Sequence, residues 1–400
     1  MNQGLRNYLI ITGSYWAFTL TDGAIRMLVV LYFHLLGYSP IEVAMLFLFY
    51  EFFGIVTNLI GGWLASRIGL NLTMHIGMSL QIVALAMLAV PDQWLSIAYV
   101  MFAQALSGIA KDLNKMSAKA SIKTLLPADQ SSDSSLFKWV AILTGSKNAL
   151  KGLGYFLGTL LLQLFEFRGA LIFLVSGLAV VLIASAIFLP SGLGKSKSKT
   201  RFTQIFSKTP AINWLSAARF FLFASRDIWF VVALPVYLHR VFEWDYTEVG
   251  AFMAFWIIGY GIVQASAPRL LKQTHHGQGP DGSSARNWAF LLALLPVLIA
   301  IALNNTATQA VLIIGLIIFG IVFAINSAVH SYLIVAWSDH DKVAMNVGFY
   351  YMANAGGRLF GTVLSGFIYQ TQGLTGCLYY SSLLVVFAAL LSLKLQKKPS

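Results

Sequence analysis

Charge is what this sequence has least of. Only 10% of its 400 residues are Asp, Glu, Lys or Arg, against about 25% in a soluble globular domain. A chain this poor in charge has too little polar surface to face water all round. Acids are scarcer than bases, with 15 Asp and Glu against 27 Lys and Arg. Cysteine occurs once, as Cys377. A lone cysteine excludes an intrachain disulfide framework and a multi-cysteine metal centre, and reads as a small buried apolar residue. There is no P-loop, HExxH, GxSxG or Cys/His cluster, so the usual catalytic sets are missing. His275 and His276 fall in a loop of Gly, Ser and Pro and are not expected to bind metal. No cofactor is expected, and the chain does not read as an enzyme. The first apolar run has no small-residue cleavage pattern behind it, so it reads as a span and not as a signal peptide.

What is present instead is apolar sequence, 58% of the chain. A helix needs about 20 apolar residues to cross a bilayer. Twelve such segments lie at 8–35, 41–65, 72–90, 95–116, 136–162, 169–190, 210–238, 247–268, 287–303, 309–335, 343–369 and 374–394. Turn chemistry separates them, as in "GYSP" at 37–40 and "QTQG" at 370–373. Runs of this length disfavour a transmembrane barrel, whose strands alternate over short segments. The expected class is an all-α membrane protein of twelve transmembrane helices.

Basic residues set the orientation. With the N-terminus inside, the inner face receives Arg6, Arg67, Lys195, Lys197, Lys199, Arg201, Lys208, Arg269, Lys272, Arg286, Lys342, Lys394, Lys397 and Lys398, and the outer face only Arg168 and Arg240. Both termini are therefore expected in the cytoplasm. The same asymmetry accounts for most of the net charge of +12 without any nucleic acid.

The longest polar break in the middle, at 190–210, reads as a flexible basic linker. It divides the chain into an N-terminal six-helix bundle at 1–190, a cytoplasmic linker at 191–208 and a C-terminal six-helix bundle at 209–400. The halves match weakly: 21–33 aligns with 226–238, setting Asp22 over Asp227, and 154–169 aligns with 357–373 with one gap. Parallel repeats joined inside the cell are the layout of two bundles related by an axis along the membrane normal. That layout resembles the major facilitator superfamily. "GGWLASRIGLN" at 61–71 resembles the signature of that family between its second and third spans, at Gly62, Arg67 and Gly69. It departs at Ser66, Leu70 and Asn71. The resemblance implies a gating role for Gly62, Arg67 and Gly69.

Ionisable residues inside a membrane are expensive, so each is a functional candidate. On these spans the bases are Arg26, Lys111, Lys115, Lys147, Lys151, Arg219, Arg226 and Arg358, and the acids are Asp22, Glu51, Asp112 and Asp227; His330 is a further polar candidate. Lys147 lies roughly 16 Å into its span at 1.5 Å per residue, too deep for easy snorkelling. Four acids do not neutralise eight bases. The reading taken is a water-filled cationic cavity for an anion, and the alternative is purely structural pairing. Lys111, Lys115, Lys119 and Lys123 recur every four residues and form one stripe. The first two are expected at the mouth of the cavity, and Lys119 and Lys123 in the cytoplasm as solvated anchors. Such a stripe leading to a basic midplane site would funnel an anion from the cytoplasm to the cavity. Asp22 with Arg26, and Arg226 with Asp227, are either static pairs or sets that change partners as substrate or a proton arrives. Gly145, Gly152, Gly154 and Gly158 are read as helix-packing residues. Trp16, Trp139 and Trp229 are read as packing or interface residues.

Four charged segments together resemble a narrower family, the ArsJ-type organoarsenical efflux permeases: "YWAFTLTDGAIRMLVV" at 15–30, "SGIAKDLNKMSAKASIK" at 107–123, "VAILTGSKNALKG" at 140–152 and "SRDIWFVVALPVY" at 225–237. The resemblance implies efflux of 1-arseno-3-phosphoglycerate, with a bacterial inner membrane as the expected location; coupling to protons is expected from the acid–base sets above. It also implies a functional partner, the glyceraldehyde-3-phosphate dehydrogenase that makes this ester from arsenate. The transporter is expected to be a monomer. Exchange of organic phosphates on the same fold is the nearest alternative. A membrane scaffold or sensor would need a soluble docking domain, and no loop is long enough for one.

Overall fold

The computed structural model describes residues 3–38, 45–125, 133–190, 192–193, 209–231, 233–244, 246–271, 279–306, 308–339 and 342–395. The basic stretch at 194–208, the His275–His276 pair and the side chain of Lys123 lie outside the described residues. Among the described residues every regular element is a helix. In chain order they are α1 (Gln3–Leu35), α2 (Leu48–Ile68), α3 (Leu70–Leu88), α4 (Ile97–Leu125), α5 (Asp133–Phe188), α6 (Pro210–Phe230), α7 (Ala233–Val241), α8 (Tyr246–Leu270), α9 (Gly282–Thr306), α10 (Gln309–Ala336) and α11 (Val343–Ser392).

Local chemistry explains where these helices stop and start. Gly69 sits at φ 101°, where a side chain would be strained, so α2 ends there and α3 begins. Thr209 caps α6 by accepting the Ile212 N–H, with Pro210 at the first helical position. The run α5 breaks at Glu166 (φ 56°) and α11 breaks at Gly373 (φ 64°).

Among the described residues eight helices are long and apolar enough to cross a membrane. Two of them, α5 and α11, are the broken runs, and each supplies two crossings. The other two crossings are α4 and α6 with α7, which carry charged and polar residues mid-span. The outer surface explains the solvent these helices need. Val180 is 67% exposed, Ile187 71% and Phe367 67%. In water such surface costs about 25 cal/mol per Å², whereas lipid takes it without penalty.

Packing divides the chain into two compact units. Unit 1 holds 1–131, 146–207 and 339–352; unit 2 holds 132–145, 208–338 and 353–400. The boundaries follow packing, so the first residues of α5 belong with the second unit and the first residues of α11 with the first. In unit 1, α4 packs along α1, α2 and α3. The core there runs through Ile25, Leu28, Phe33, Leu85, Leu88 and Phe167. In unit 2, α10 packs along α8 and α9 around Trp229, Trp256, Phe319 and Phe323.

Small residues bring the charged helices together. A Cβ on Gly154 would lie 2.6 Å from the Leu20 carbonyl oxygen, and one on Gly158 2.5 Å from that of Ala24. In unit 2, Gly357 meets the Phe220 carbonyl in the same way, and Gly361 meets that of Ala224 at 2.5 Å. These contacts correct the register of the repeat. They set residue 20 against 220 and 24 against 224, an offset of 200, where the sequence match has Asp22 over Asp227. In the corrected register Arg26 corresponds to Arg226. The match in sequence followed a shared aspartate, while the helices are registered by where their backbones touch.

Candidate functional site

Each unit carries its own charged cluster. In unit 1 the cluster rises from α1, α2, α4 and α5. Asp22, 4% exposed, accepts the Tyr50 hydroxyl at 2.5 Å and pairs with Lys151 at 3.5 Å. Arg26 pairs with Glu51 at 3.3 Å. Asp112 is shared: Lys115 approaches one of its oxygens at 2.5 Å and Lys111 the other at 4.0 Å. Gly23 and Gly154 make the Asp22–Lys151 contact possible, because α1 and α5 touch there backbone to backbone.

Lys147 is half-buried one turn before Lys151. Its neighbour Ser146 accepts the Trp16 indole N–H at 2.9 Å. Trp16 therefore ties α1 to α5 beside the lysines.

In unit 2 the cluster rises from α6, α8, α10 and α11. Asp227 is fully buried and serves two arginines. Arg226, its neighbour in sequence, binds one oxygen, and Arg358 binds the other at 3.1 Å. Arg219, 2% exposed, donates to Asn354 at 2.9 Å and to the Ser327 hydroxyl at 2.9 Å. Gln264 donates to the same hydroxyl at 3.1 Å. His330 is buried one turn beyond Asn326 on α10. Among the described residues the His330 Nδ1 and both amide atoms of Asn326 have no hydrogen-bond partner.

Several expectations change here. Asp22 does not pair with Arg26, one turn away on its own helix, but reaches Lys151 on α5, and Arg26 takes Glu51 instead. Lys119 is not a solvated anchor. It is 2% exposed, because α4 continues as helix to Leu125 and its small neighbours Ser117, Ala118, Ala120 and Ser121 are themselves buried. Trp16 joins the polar contacts, whereas Trp229 packs in the core of unit 2.

The signature loop shows a division of labour. Arg67 is exposed and stacks over Trp63 of its own helix at 5.0 Å. Gly62 packs against the first turn of α11, where a Cβ would lie 2.5 Å from the Ala344 carbonyl oxygen. Asn71 donates to the Pro190 carbonyl at 2.8 Å, so one departure from the signature has a partner of its own.

The residues that sequence reasoning missed are neutral. They are Tyr50, Phe223, Gln264, Ser327 and Asn354. The run "NSAVHS" at 326–331, polar within an otherwise apolar helix, was the available signal for Ser327. Nothing marked Tyr50 or Phe223 among 16 tyrosines and 29 phenylalanines.

Among the described residues no group of three or more His, Cys, Asp or Glu is placed to hold a metal ion. No curated protein matches the chain. Solved structures of similar fold include the human organic anion transporter TETRAN, at 15% identity and a TM-score of 0.75, covering 98% of this chain and 100% of that one. A bacterial homologue of the iron transporter ferroportin, in its outward-facing state, matches at 15% identity and TM-score 0.74, covering 98% and 99%. The transporter FucP in its outward conformation matches at 11% identity and TM-score 0.76, covering 99% and 100%. Identities this low speak for the fold alone. The family model of the Major Facilitator Superfamily matches residues 11–329. With its helices, its repeat and its buried charges accounted for, the chain belongs to the Major Facilitator Superfamily and is a multi-pass membrane transporter.

Proposed function

We propose that the protein exports a small polyanion, 1-arseno-3-phosphoglycerate, from the cytoplasm by alternating access coupled to protons. The observation that supports the anion part is the excess of bases over acids in each charged cluster, counted among the described residues. Among the described residues Asp227 takes both Arg226 and Arg358, one carboxylate against two guanidinium groups. In unit 1 the acids Asp22, Glu51 and Asp112 stand with Arg26, Lys111, Lys115, Lys147 and Lys151. A buried surplus is costly unless a ligand of opposite charge repays it. Arginine forks and lysine ammonium groups suit arsenate and phosphate oxygens. The arsenic ester itself is supported by the likeness of the four charged segments to the organoarsenical permeases.

On this reading the eight bases bind the substrate. Asp22, Glu51, Asp112 and Asp227 release their cations to it and take up protons in exchange. The basic linker at 191–208 joins bundles at 1–190 and 209–400. The protein works as a monomer in a bacterial inner membrane, with both termini in the cytoplasm. A glyceraldehyde-3-phosphate dehydrogenase supplies the ester, and no nucleic acid takes part.

The test is arsenic accumulation in an arsenate-sensitive bacterial strain without other arsenic efflux. Cells carry neither protein, the permease alone, the dehydrogenase alone, or both. Arsenic content falls only when both are present, and Lys147→Ala or Lys151→Ala restores it. Equal accumulation in all four, with permease expressed and dehydrogenase active, overturns the arsenic ester. Phosphorylated metabolites would then be the anions to assay.

A further inference from the structure

In each unit one aromatic ring serves two cations. In unit 1, Lys111 Nζ stands 3.8 Å from the centroid of the Tyr50 ring, and the guanidinium carbon of Arg26 stands 4.8 Å from it. In unit 2, the guanidinium carbons of Arg219 and Arg226 stand 4.0 Å and 4.9 Å from the centroid of Phe223. Both rings are buried, Tyr50 at 2% exposure and Phe223 at 7%.

A carboxylate holds a cation by cancelling its charge. An aromatic face holds it through the ring quadrupole and adds no formal charge. A cation parked on a ring therefore stays positive toward an incoming anion. Lys111 illustrates the difference. Its carboxylate contact, to Asp112, is 4.0 Å long, and Asp112 is held more closely by Lys115 at 2.5 Å. The Tyr50 ring is nearer to Lys111 than that carboxylate.

The rings are themselves held. The Tyr50 hydroxyl donates to Asp22, and α4 presses on its backbone at Gly108, where a Cβ would lie 2.5 Å from the Tyr50 carbonyl oxygen. Phe223 packs on Phe323, centroids 5.2 Å apart. Two like charges beside one ring repel each other. That cost makes sense where an anion with several oxygens spans both.

We propose that Tyr50 and Phe223 are positioning residues for anion binding, each holding two cations over its face while adding no negative charge of its own; one cation of each pair, Arg26 and Arg226, also meets a carboxylate, Glu51 and Asp227. This rests on the anion reading above. It adds two residues that carry no charge and lie outside the charged set.

The test uses the full-length protein in lipid nanodiscs, with 3-phosphoglycerate and inorganic phosphate as probes. Fluorinated phenylalanines are placed at position 223, and at position 50 in the Tyr50→Phe background. Fluorine drains the ring face while keeping the shape of the side chain. Probe affinity falls stepwise from none to three fluorines, with the unfolding temperature unchanged. Tyr50→Phe also loses the hydroxyl's bond to Asp22 and is therefore the reference for position 50; Tyr50→Leu loses about tenfold against Tyr50→Phe, and Phe223→Leu about tenfold against the wild type. If the leucine variants do not fold, the fluorine series decides. A flat fluorine series in a protein whose wild type binds the probes overturns this inference alone. A wild type that binds neither probe overturns the anion reading and this inference together.

Discussion

Asp227 holds two arginines, Arg226 and Arg358, with one carboxylate. Removing its carboxylate leaves Arg226 and Arg358, both half-buried, side by side without the buried acid between them. Breaking such a pair by deleting one partner costs about 3–5 kcal/mol, chiefly because the surviving charge stays buried. Asp227→Asn is therefore expected to lower the thermal midpoint of the detergent-solubilised protein. Adding Arg358→Met to it should recover part of the loss. A double variant no more stable than Asp227→Asn would mean that Arg358 is not the burdened partner. At this scale the charged residues were legible, because an ion in a membrane is costly enough to stand out alone. Their partners were not. Arg26 lies one turn from Asp22, yet the acid reaches Lys151 on another helix, 129 positions along the chain. Helical spacing ranks neighbours within one helix and is silent about facing helices. Lys119 misled for the same reason, since its burial is decided by what packs on it.

At the scale of elements, glycines decide which charges meet. Gly23, Gly154 and Gly158 let α1 and α5 touch along their backbones, and Lys151 reaches Asp22 across that seam. Gly154→Ala places a methyl group 2.6 Å from the Leu20 carbonyl oxygen, so the helices must part. We expect a loss of about 1–3 kcal/mol, as for overpacking in a close-packed core, together with weakened transport. Gly13→Ala and Gly177→Ala should be neutral, because nothing lies within 4 Å of an added Cβ at either position. Thermal melts and transport assays of the three variants check this, and equal behaviour would remove the seam from the account. The packing role of Gly154 and Gly158 was readable from sequence. The register was not, because apolar sequence aligns almost as well five residues out of place.

At the scale of the whole molecule, the claim open to a direct check is orientation. Cys377 is buried and can be replaced by alanine to give a cysteine-free background. Gln93 lies in an exposed turn after α3, and Arg67 is exposed at the end of α2. Gln93→Cys should react with an impermeant thiol reagent on intact cells, and Arg67→Cys only once the inner face is opened. The reverse pattern would invert the assignment. Arg168, one of two bases expected outside, pairs with Asp92 beside Gln93 at 3.8 Å, so these two loops end on the same side.

By itself the sequence determined the class of protein, the twelve crossings and the charges to watch, because each follows from the cost of leaving polar groups in lipid. That cost is local, paid residue by residue, and is visible in one chain. Only the tertiary structure decided which carboxylate holds which cation, that Lys119 is buried, and that Tyr50 and Phe223 each gather two cations. Those facts depend on facing surfaces of different helices, where a missing Cβ or a ring of ordinary composition sets the distance between charges.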